Sequence, residues 1–509
     1  MPDLTSLLGD DDISGVVPGQ LDARVVRAIG AAFADVVIRP DAAKGAGDRG
    51  ERPAVVVGRD LRPSGRELVD AFADGLNARG VDAVLIGPCS TGALAHASGS
   101  LEVPGAMVTG GDRDVPVSGL TFLRSGARPV RRDSGLAAVL GLAAQYLATT
   151  APDVDARARG RLSERDPLTS YAAALRELVD LTGIRPLKIV VDAGGGIGAR
   201  TVPAVLGAAA GLPALPLEVI PLHFELAGAS SRPAATPLEP AGLRDLRAVV
   251  VEHGADLGIA VDARGDRYAL VDETGEPVGP AVMAALVGLR EVEREREAGN
   301  APIVVLDPLM SCAVADLLTA SGATVVRTGP GAAAIAAEMA ARGAVFGADH
   351  GGHYYHRDLY RADCGLLAVM HVLASLGGHR APLSALAEAY QPYAASGEID
   401  SHLDDVAAVG AARDRVVAAY VTDRGAGPVV VDGLDGLDGL DGLDGLTIRH
   451  WEESPRWWFN LRADGTELRL SVEAADEDVM EKVRDDVLAL VRAGRPGPTR
   501  SAPRLDKKE

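Results

Sequence analysis

Three short β-branched runs open three similar stretches of this chain: Pro53–Gly58 (PAVVVG), Pro186–Asp192 (PLKIVVD) and Pro302–Asp307 (PIVVLD). Runs of this kind read as strands buried on both faces, as in parallel sheets. A polar turn, Arg59–Ser64, follows the first run. It leads into apolar residues at helical spacing, Leu68, Phe72 and Leu76, and then a second strand pattern, Val81–Gly87 (VDAVLIG). Ala248–Val261 carries the rhythm later in the second stretch. A βαβ pattern that restarts twice predicts parallel α/β sheets. The last part differs. Asn460–Glu473 alternates apolar and polar residues and Asp476–Val491 has helical amphipathicity, an α+β ending.

At 509 residues several domains are expected. Plausible linkers are Thr150–Arg165 and the charged, helix-like Gly288–Asn300. Aromatics are only 4%, so the cores must be built from Ala, Val, Leu and Ile. Fifty-one basic against 71 acidic residues give a net charge of −20, which argues against nucleic-acid binding. The three cysteines, Cys89, Cys312 and Cys364, supply neither a disulfide framework nor zinc-ligand spacing and read as buried thiols in a reducing compartment. Met1–Asp12 lacks the apolar core of a secretory signal, and no apolar run is long enough to span a membrane. A cytoplasmic protein is expected, with a disordered tail at Arg495–Glu509. Between Asp432 and Leu446 the triplet Asp-Gly-Leu recurs. It lacks the calcium-loop spacing and reads as an expanded surface loop.

A set of landmarks along nearly the whole chain, from about Asp11 to Val491, resembles the α-D-phosphohexomutases, the phosphomannomutase/phosphoglucomutase family. The landmarks are Asp12–Gly15, Gly58–Asp60, Gly87–Thr91, Ala255–Ala260 and Gly347–His353. The resemblance implies an α/β fold of three related domains plus a smaller α+β C-terminal domain around a central cleft. Boundaries are expected at 1–150, 166–280, 281–395 and 396–494, with the tail at 495–509. It also implies a reaction that moves a phosphoryl group between O1 and O6 of a hexose, using a phosphoserine, Mg²⁺ and a bisphosphate intermediate.

Each functional loop of that family departs from its pattern here. The nucleophile loop, Thr-Ala-Ser-His-Asn-Pro, is Thr109-Gly110-Gly111-Asp112-Arg113-Asp114, so Gly111 stands where the phosphoserine belongs. Downstream, Ser118–Phe122 matches Asn-Gly-x-Lys-Phe, with Thr121 in place of the Lys. Loss of a nucleophile costs on the order of 10⁶ in rate. Ser118 could replace it only through a backbone shift. The metal loop, Asp-Gly-Asp-Ala-Asp-Arg, is Asp262-Ala263-Arg264-Gly265-Asp266-Arg267. Asp262 and Asp266 remain, while Arg264 replaces the middle ligand and should repel Mg²⁺. Its guanidinium either takes the metal's place between the two carboxylates or makes local ion pairs in a surface turn, and it could face a phosphate.

The sugar loop, Gly-Glu-x-Ser-Gly-His in the family, keeps Gly347 and His353, with Asp349 in place of the Glu and Gly351 in place of the Ser. Asp349 and His353 are the candidate hydroxyl-binding groups. His350, His353 and His356 mimic a metal cluster, but on a strand that spacing alternates faces. The phosphate loop is Arg462-Ala463-Asp464-Gly465-Thr466-Glu467-Leu468, where Arg462, Gly465 and Thr466 can still hold a phosphate and Asp464 opposes it. Ser14 replaces a further Arg. The Gly-rich turn Asp192–Gly198 looks like a dinucleotide turn, but its third Gly falls one place early.

These departures point to a phosphohexomutase-like pseudoenzyme of carbohydrate metabolism that binds a hexose phosphate or a protein partner and needs no cofactor. The alternative is an active phosphohexomutase with a rebuilt site, needing Mg²⁺ if the metal loop still works.

Overall fold

In a computed structural model, residues 4–41, 52–111, 113, 116–149, 153–226, 242–329, 331–422, 430–432, 445–451 and 454–493 are described. The chain divides into two units, Met1–Tyr390 and Gln391–Glu509. Most of the Asp432–Leu446 repeat and the tail from Arg495 lie outside the described residues.

Each of the three β-branched runs is an interior strand of its own sheet. The strands are Ala54–Arg59, Leu187–Asp192 and Ile303–Leu306. Val55, Val56, Val57, Val190, Val191, Val304 and Val305 are all buried, as strands covered on both faces require. The three sheets repeat one arrangement. The next strand in sequence pairs in parallel on one side: Asp82–Pro88, Leu217–Leu222 and Thr324–Arg327 respectively. The strand after that pairs in parallel on the other: Gly105–Val108, Leu257–Val261 and Phe346–Ala348. An antiparallel strand then extends each sheet: Val117–Arg124, Tyr268–Asp272 and Tyr354–His356. The first sheet adds Ile13–Val16 at one edge and Leu162–Glu164 at the other.

The expectation of three related α/β domains is met, and the C-terminal unit is α+β as anticipated. It has a fully antiparallel sheet with helices Val406–Val417 and Glu477–Val491. The amphipathic helix expected at Asp476–Val491 starts one residue later, because the Asp476 carboxylate caps it by accepting from the Val479 amide.

Gly288–Asn300 is the charged helix expected rather than a linker, and Thr150–Arg165 carries a short strand. Gly288–Asn300 falls largely inside the helix Pro280–Glu297, where Glu291 and Glu295 are buried. Their partners lie far along the chain: Arg357 bonds Glu295 at 2.6 and 3.0 Å, and His371 Nε2 is 3.2 Å from Glu291. Thr150–Arg165 ends in the edge strand Leu162–Glu164, with residues 150–152 outside the described set. The cores are mostly aliphatic, but Tyr420, Trp457 and Phe459 pack together in the C-terminal unit with ring centroids 5.0–6.0 Å apart. Phe33, Phe72 and Phe122 cluster in the first domain with ring centroids 4.5–6.1 Å apart.

Candidate functional site

The first candidate loop leaves the strand Gly105–Val108 at its carboxyl end. Gly111 has φ +60°, a conformation that residues with a Cβ avoid. The loop is pinned from below by the buried Arg62. Its guanidinium donates to the carbonyls of Val117 (2.8 Å), Gly111 (3.1 Å) and Arg113 (2.5 Å), and lies 3.3 Å from Asp60. Gly110 makes room for it, since a Cβ there would sit 2.3 Å from the Arg62 Cζ. Arg113 forms a 2.6 Å ion pair with Asp12, which precedes the strand carrying Ser14. Asp112 and Asp114 lie outside the described residues. Ser118 is buried inside a strand opposite Gly15, so it is not presented as a nucleophile. Thr121 sits in the same strand.

The second loop, Asp262–Arg267, leaves the strand Leu257–Val261. The Arg264 Nε lies 3.3 Å from Asp262 Oδ2 and its Nη1 lies 3.8 Å from Asp266 Oδ2. Asp262 Oδ1 accepts from the Asp266 and Arg267 amides at 2.8 and 3.2 Å. Asp266 is clasped by Thr91: the Thr91 amide donates to Oδ1 at 2.8 Å and its hydroxyl to Oδ2 at 2.9 Å. Thr91 opens the helix Thr91–Ser100, whose first amides lack helical partners and whose dipole favours an anion at this end. Every carboxylate oxygen of the pair is thus already engaged by a group of the chain. Burial raises the Asp266 pKa; Arg264 pulls it down, while Asp262 and Asp363 push it up.

The Gly-rich turn Asp192–Gly198 packs beneath this loop. A Cβ on Gly196 would come within 2.5 Å of Ala263 Cα, and one on Gly198 within 2.9 Å of Val261. Asp192 accepts from the Gly194 amide at 2.9 Å. Backbone contact accounts for these glycines without a dinucleotide.

The third loop, Gly347–His353, is joined to the second. The Arg267 Nε donates to His353 Nε2 at 3.0 Å, and His353 Nδ1 lies 2.6 Å from Asp363. Asp349 is buried and accepts from the His353 amide at 2.9 Å; burial raises its pKa against the pull of His353. Burial opposes charge on the His353 ring, but the charge and hydrogen bond of Asp363, with Asp349, lift its pKa to about 9. The Arg267 contact demands the reverse. A guanidinium only donates, so Nε2 accepts and the ring is neutral while that contact stands. The contact is the tighter constraint, because two donors cannot face each other at 3.0 Å. The carboxylates set how readily the ring takes a proton once Arg267 turns away.

The three neighbouring histidines do not converge. His350 bonds Asp307 at 2.5 Å, His353 bonds Asp363, and His356 stacks on His371 with centroids 5.8 Å apart. Among the described residues no group of three His, Cys, Asp or Glu side chains is placed to hold a metal.

The fourth candidate loop belongs to the C-terminal unit. It is the tight turn between the paired strands Trp457–Asp464 and Glu467–Ala474, with Gly465 at φ +59°. Arg462 pairs with Glu398 at 3.3 Å, and Thr466 Oγ1 lies 3.5 Å from His402 Nδ1. The Asp464 side chain lies outside the described set.

Asp262, Arg264, Asp266, Asp349 and His353 therefore form one connected cluster. Thr91, Arg267 and Asp363 complete it and were missed. Thr91 closes the Gly87–Thr91 landmark, and that position was its only signal.

Three family profiles match the chain. They are "Phosphoglucomutase/phosphomannomutase, alpha/beta/alpha domain I" at residues 5–135, domain II at 169–275 and domain III at 280–393. The phosphomannomutase of Salmonella typhimurium is 31% identical over 442 residues, covering 86% of this chain and 91% of that protein. A phosphoglucomutase/phosphomannomutase family protein from Burkholderia thailandensis superposes with a TM-score of 0.74 at 26% identity, covering 97% and 98% of the two chains. The Aspergillus fumigatus N-acetylphosphoglucosamine mutase, solved in complex with GlcNAc-6P and magnesium, shares the fold at a TM-score of 0.55 and 14% identity, covering 96% of each chain.

Proposed function

The chain belongs to the phosphoglucomutase/phosphomannomutase family, and from that premise we propose that it binds a hexose phosphate without performing the mutase reaction. It would act as a cytoplasmic pseudoenzyme of carbohydrate metabolism. One observation carries this reading: Arg264 lies between Asp262 and Asp266, with Thr91 engaging the rest of Asp266. A divalent cation would have to displace a cation and break hydrogen bonds already made, so we infer that this loop holds no Mg²⁺ and route no step through one. Gly111 adds to this. It offers no nucleophile, and its left-handed backbone does not suit a Ser.

What remains suits binding. Asp349 and His353 can meet sugar hydroxyls. Arg264 can present its outer face to a phosphate, a geometry guanidinium groups favour. Arg462, Gly465 and Thr466 offer a guanidinium, a backbone amide and a hydroxyl. The hexose-phosphate class follows from the family and from the GlcNAc-6P complex of the Aspergillus relative.

The test is calorimetry with hexose 1- and 6-phosphates, with and without Mg²⁺, beside intact-mass measurement after incubation with glucose 1,6-bisphosphate. The expected result is Mg²⁺-independent binding and no added phosphoryl mass. A phosphorylated protein would instead establish a working mutase with a rebuilt site. No binding at millimolar ligand would refute the ligand reading and leave contacts with a protein partner as the role.

A further inference from the structure

A pocket lies at the carboxyl ends of the first domain's parallel strands; no residue of the four candidate loops lines it, although Arg59, Gly87 and Pro88 belong to the landmark segments. Its volume is about 300 Å³, at the small end of ligand sites. Strands Ala54–Arg59, Asp82–Pro88 and Leu162–Glu164 approach it side by side. Its wall carries four arginines, Arg59, Arg66, Arg165 and Arg200, against two carboxylates, Glu164 and Asp166. In a chain of net charge −20 that local excess is unusual. The rest of the wall is apolar, with Val57, Val69, Leu85 and Ile86.

The arginines are not all neutralised. Arg200 bonds Asp166 at 2.5 Å, and Arg66 pairs with Asp70 at 3.0 Å and more loosely with Glu164 at 3.9 Å. Arg59 bonds only the carbonyl of Asp60, at 3.0 Å, among the described residues. Arg165 has no side-chain hydrogen bond or ion pair among the described residues, although its backbone is fixed by a 2.9 Å bond to Leu85. Two guanidiniums without carboxylate partners at one small concavity repel each other unless an anion joins them. Guanidinium forks match phosphate oxygens. The adjoining apolar wall can cover a short carbon skeleton.

We propose that this pocket binds the phosphate of a small phosphorylated metabolite, at a site separate from the Asp262–His353 cluster. Gly87 and Pro88 on its wall lie a few residues before Thr91, which clasps Asp266. Occupancy is therefore placed to bear on the cluster through that short turn.

The experiment is calorimetry on the full chain with inorganic phosphate and, separately, glucose 6-phosphate. The proteins are wild type, Arg165→Glu, Arg165→Lys and the double variant Arg264→Gln/Arg462→Gln. Losing and reversing one charge-assisted contact should weaken binding about tenfold or more in Arg165→Glu, with partial recovery in Arg165→Lys. The double variant should retain phosphate binding. Tighter binding of glucose 6-phosphate than of phosphate shows that the ester is the ligand; equal binding shows that free phosphate suffices. Unchanged binding in Arg165→Glu, or no phosphate binding by wild type, overturns the proposal. Loss in the double variant alone assigns the phosphate to the candidate loops, overturning this proposal while supporting the hexose-phosphate reading. Because Arg165 is exposed and holds no fold contact through its side chain, both of its variants should fold.

Discussion

Replacing Arg264 by Asp should create a metal site in this loop. The variant recreates three carboxylates at alternate positions, 262, 264 and 266. Unit charges about 4 Å apart at an effective dielectric of about 20 interact by about 4 kcal/mol. Changing one neighbour of a doubly charged cation from positive to negative equals about four such pairs, about 16 kcal/mol before solvation is counted. Desolvating the cation and the carboxylates cancels most of that. A dissociation constant in the millimolar range or tighter, about −4 kcal/mol or better, is the expected remainder. Without metal the same change is harmful. Asp262 and Asp266 lose the cation at 3.3 and 3.8 Å and gain a third like charge. Breaking a buried pair costs about 3–5 kcal/mol. The assay pairs Mg²⁺ calorimetry with thermal melts in EDTA and in millimolar Mg²⁺. Arg264→Asp should melt several degrees lower in EDTA and recover with Mg²⁺, while wild type ignores both. A variant that neither binds Mg²⁺ nor melts differently with it would refute the argument that Arg264 keeps the cation out. So would a wild type that binds as tightly.

Gly111→Ser should not restore phosphorylation, and its left-handed backbone should cost about 1–2 kcal/mol, read by urea unfolding and intact mass. An unchanged midpoint would show that the loop relaxes freely. Thr91→Val removes the hydroxyl bond to Asp266 but keeps the amide bond, and should lose about 1.5–3 kcal/mol by the same measurement. Burial lowers the His356 pKa from 6.5 to about 4 and also holds the His371 pKa well below the usual imidazole range. The unfolded chain binds those protons first, so the stability they confer is full above pH 6.5 and falls as pH drops toward 4. His356 alone accounts for about 3 kcal/mol of this. Imidazole NMR should find both rings neutral down to about pH 5, and a ring titrating near 6.5 would contradict the burial argument.

The three sheets were legible because their central strands are local patterns: Val55–Val57, Val190–Val191 and Val304–Val305 are apolar and β-branched in unbroken runs. Gly288–Asn300 and Thr150–Arg165 show the opposite case. Glu291 and Glu295 look like surface charge until Arg357 and His371 arrive from more than sixty residues away. Leu162–Glu164 is a strand only because Asp82–Pro88 lies beside it. The site divides in the same way. Asp262, Arg264 and Asp266 share one turn, so spacing exposed them. Thr91 and Asp363 reach the cluster through tertiary contact; the Gly87–Thr91 landmark touches the first, and no local pattern marks the second. Gly111 was visible as a missing side chain, but its left-handed backbone was not.

The Arg264 bridge also bears on how such a chain can change over generations. An Asp at 264 arriving alone meets two carboxylates and destabilises the loop unless Mg²⁺ joins them. A Ser at 111 arriving alone meets a backbone it does not favour and, without a metal, no transferable phosphoryl group to stabilise. Mg²⁺ can offset the first cost, whereas the strain at 111 is independent of residue 264. On the proposed reading, a return toward the family's own loops therefore has an order: the metal loop first, the strained nucleophile position after it.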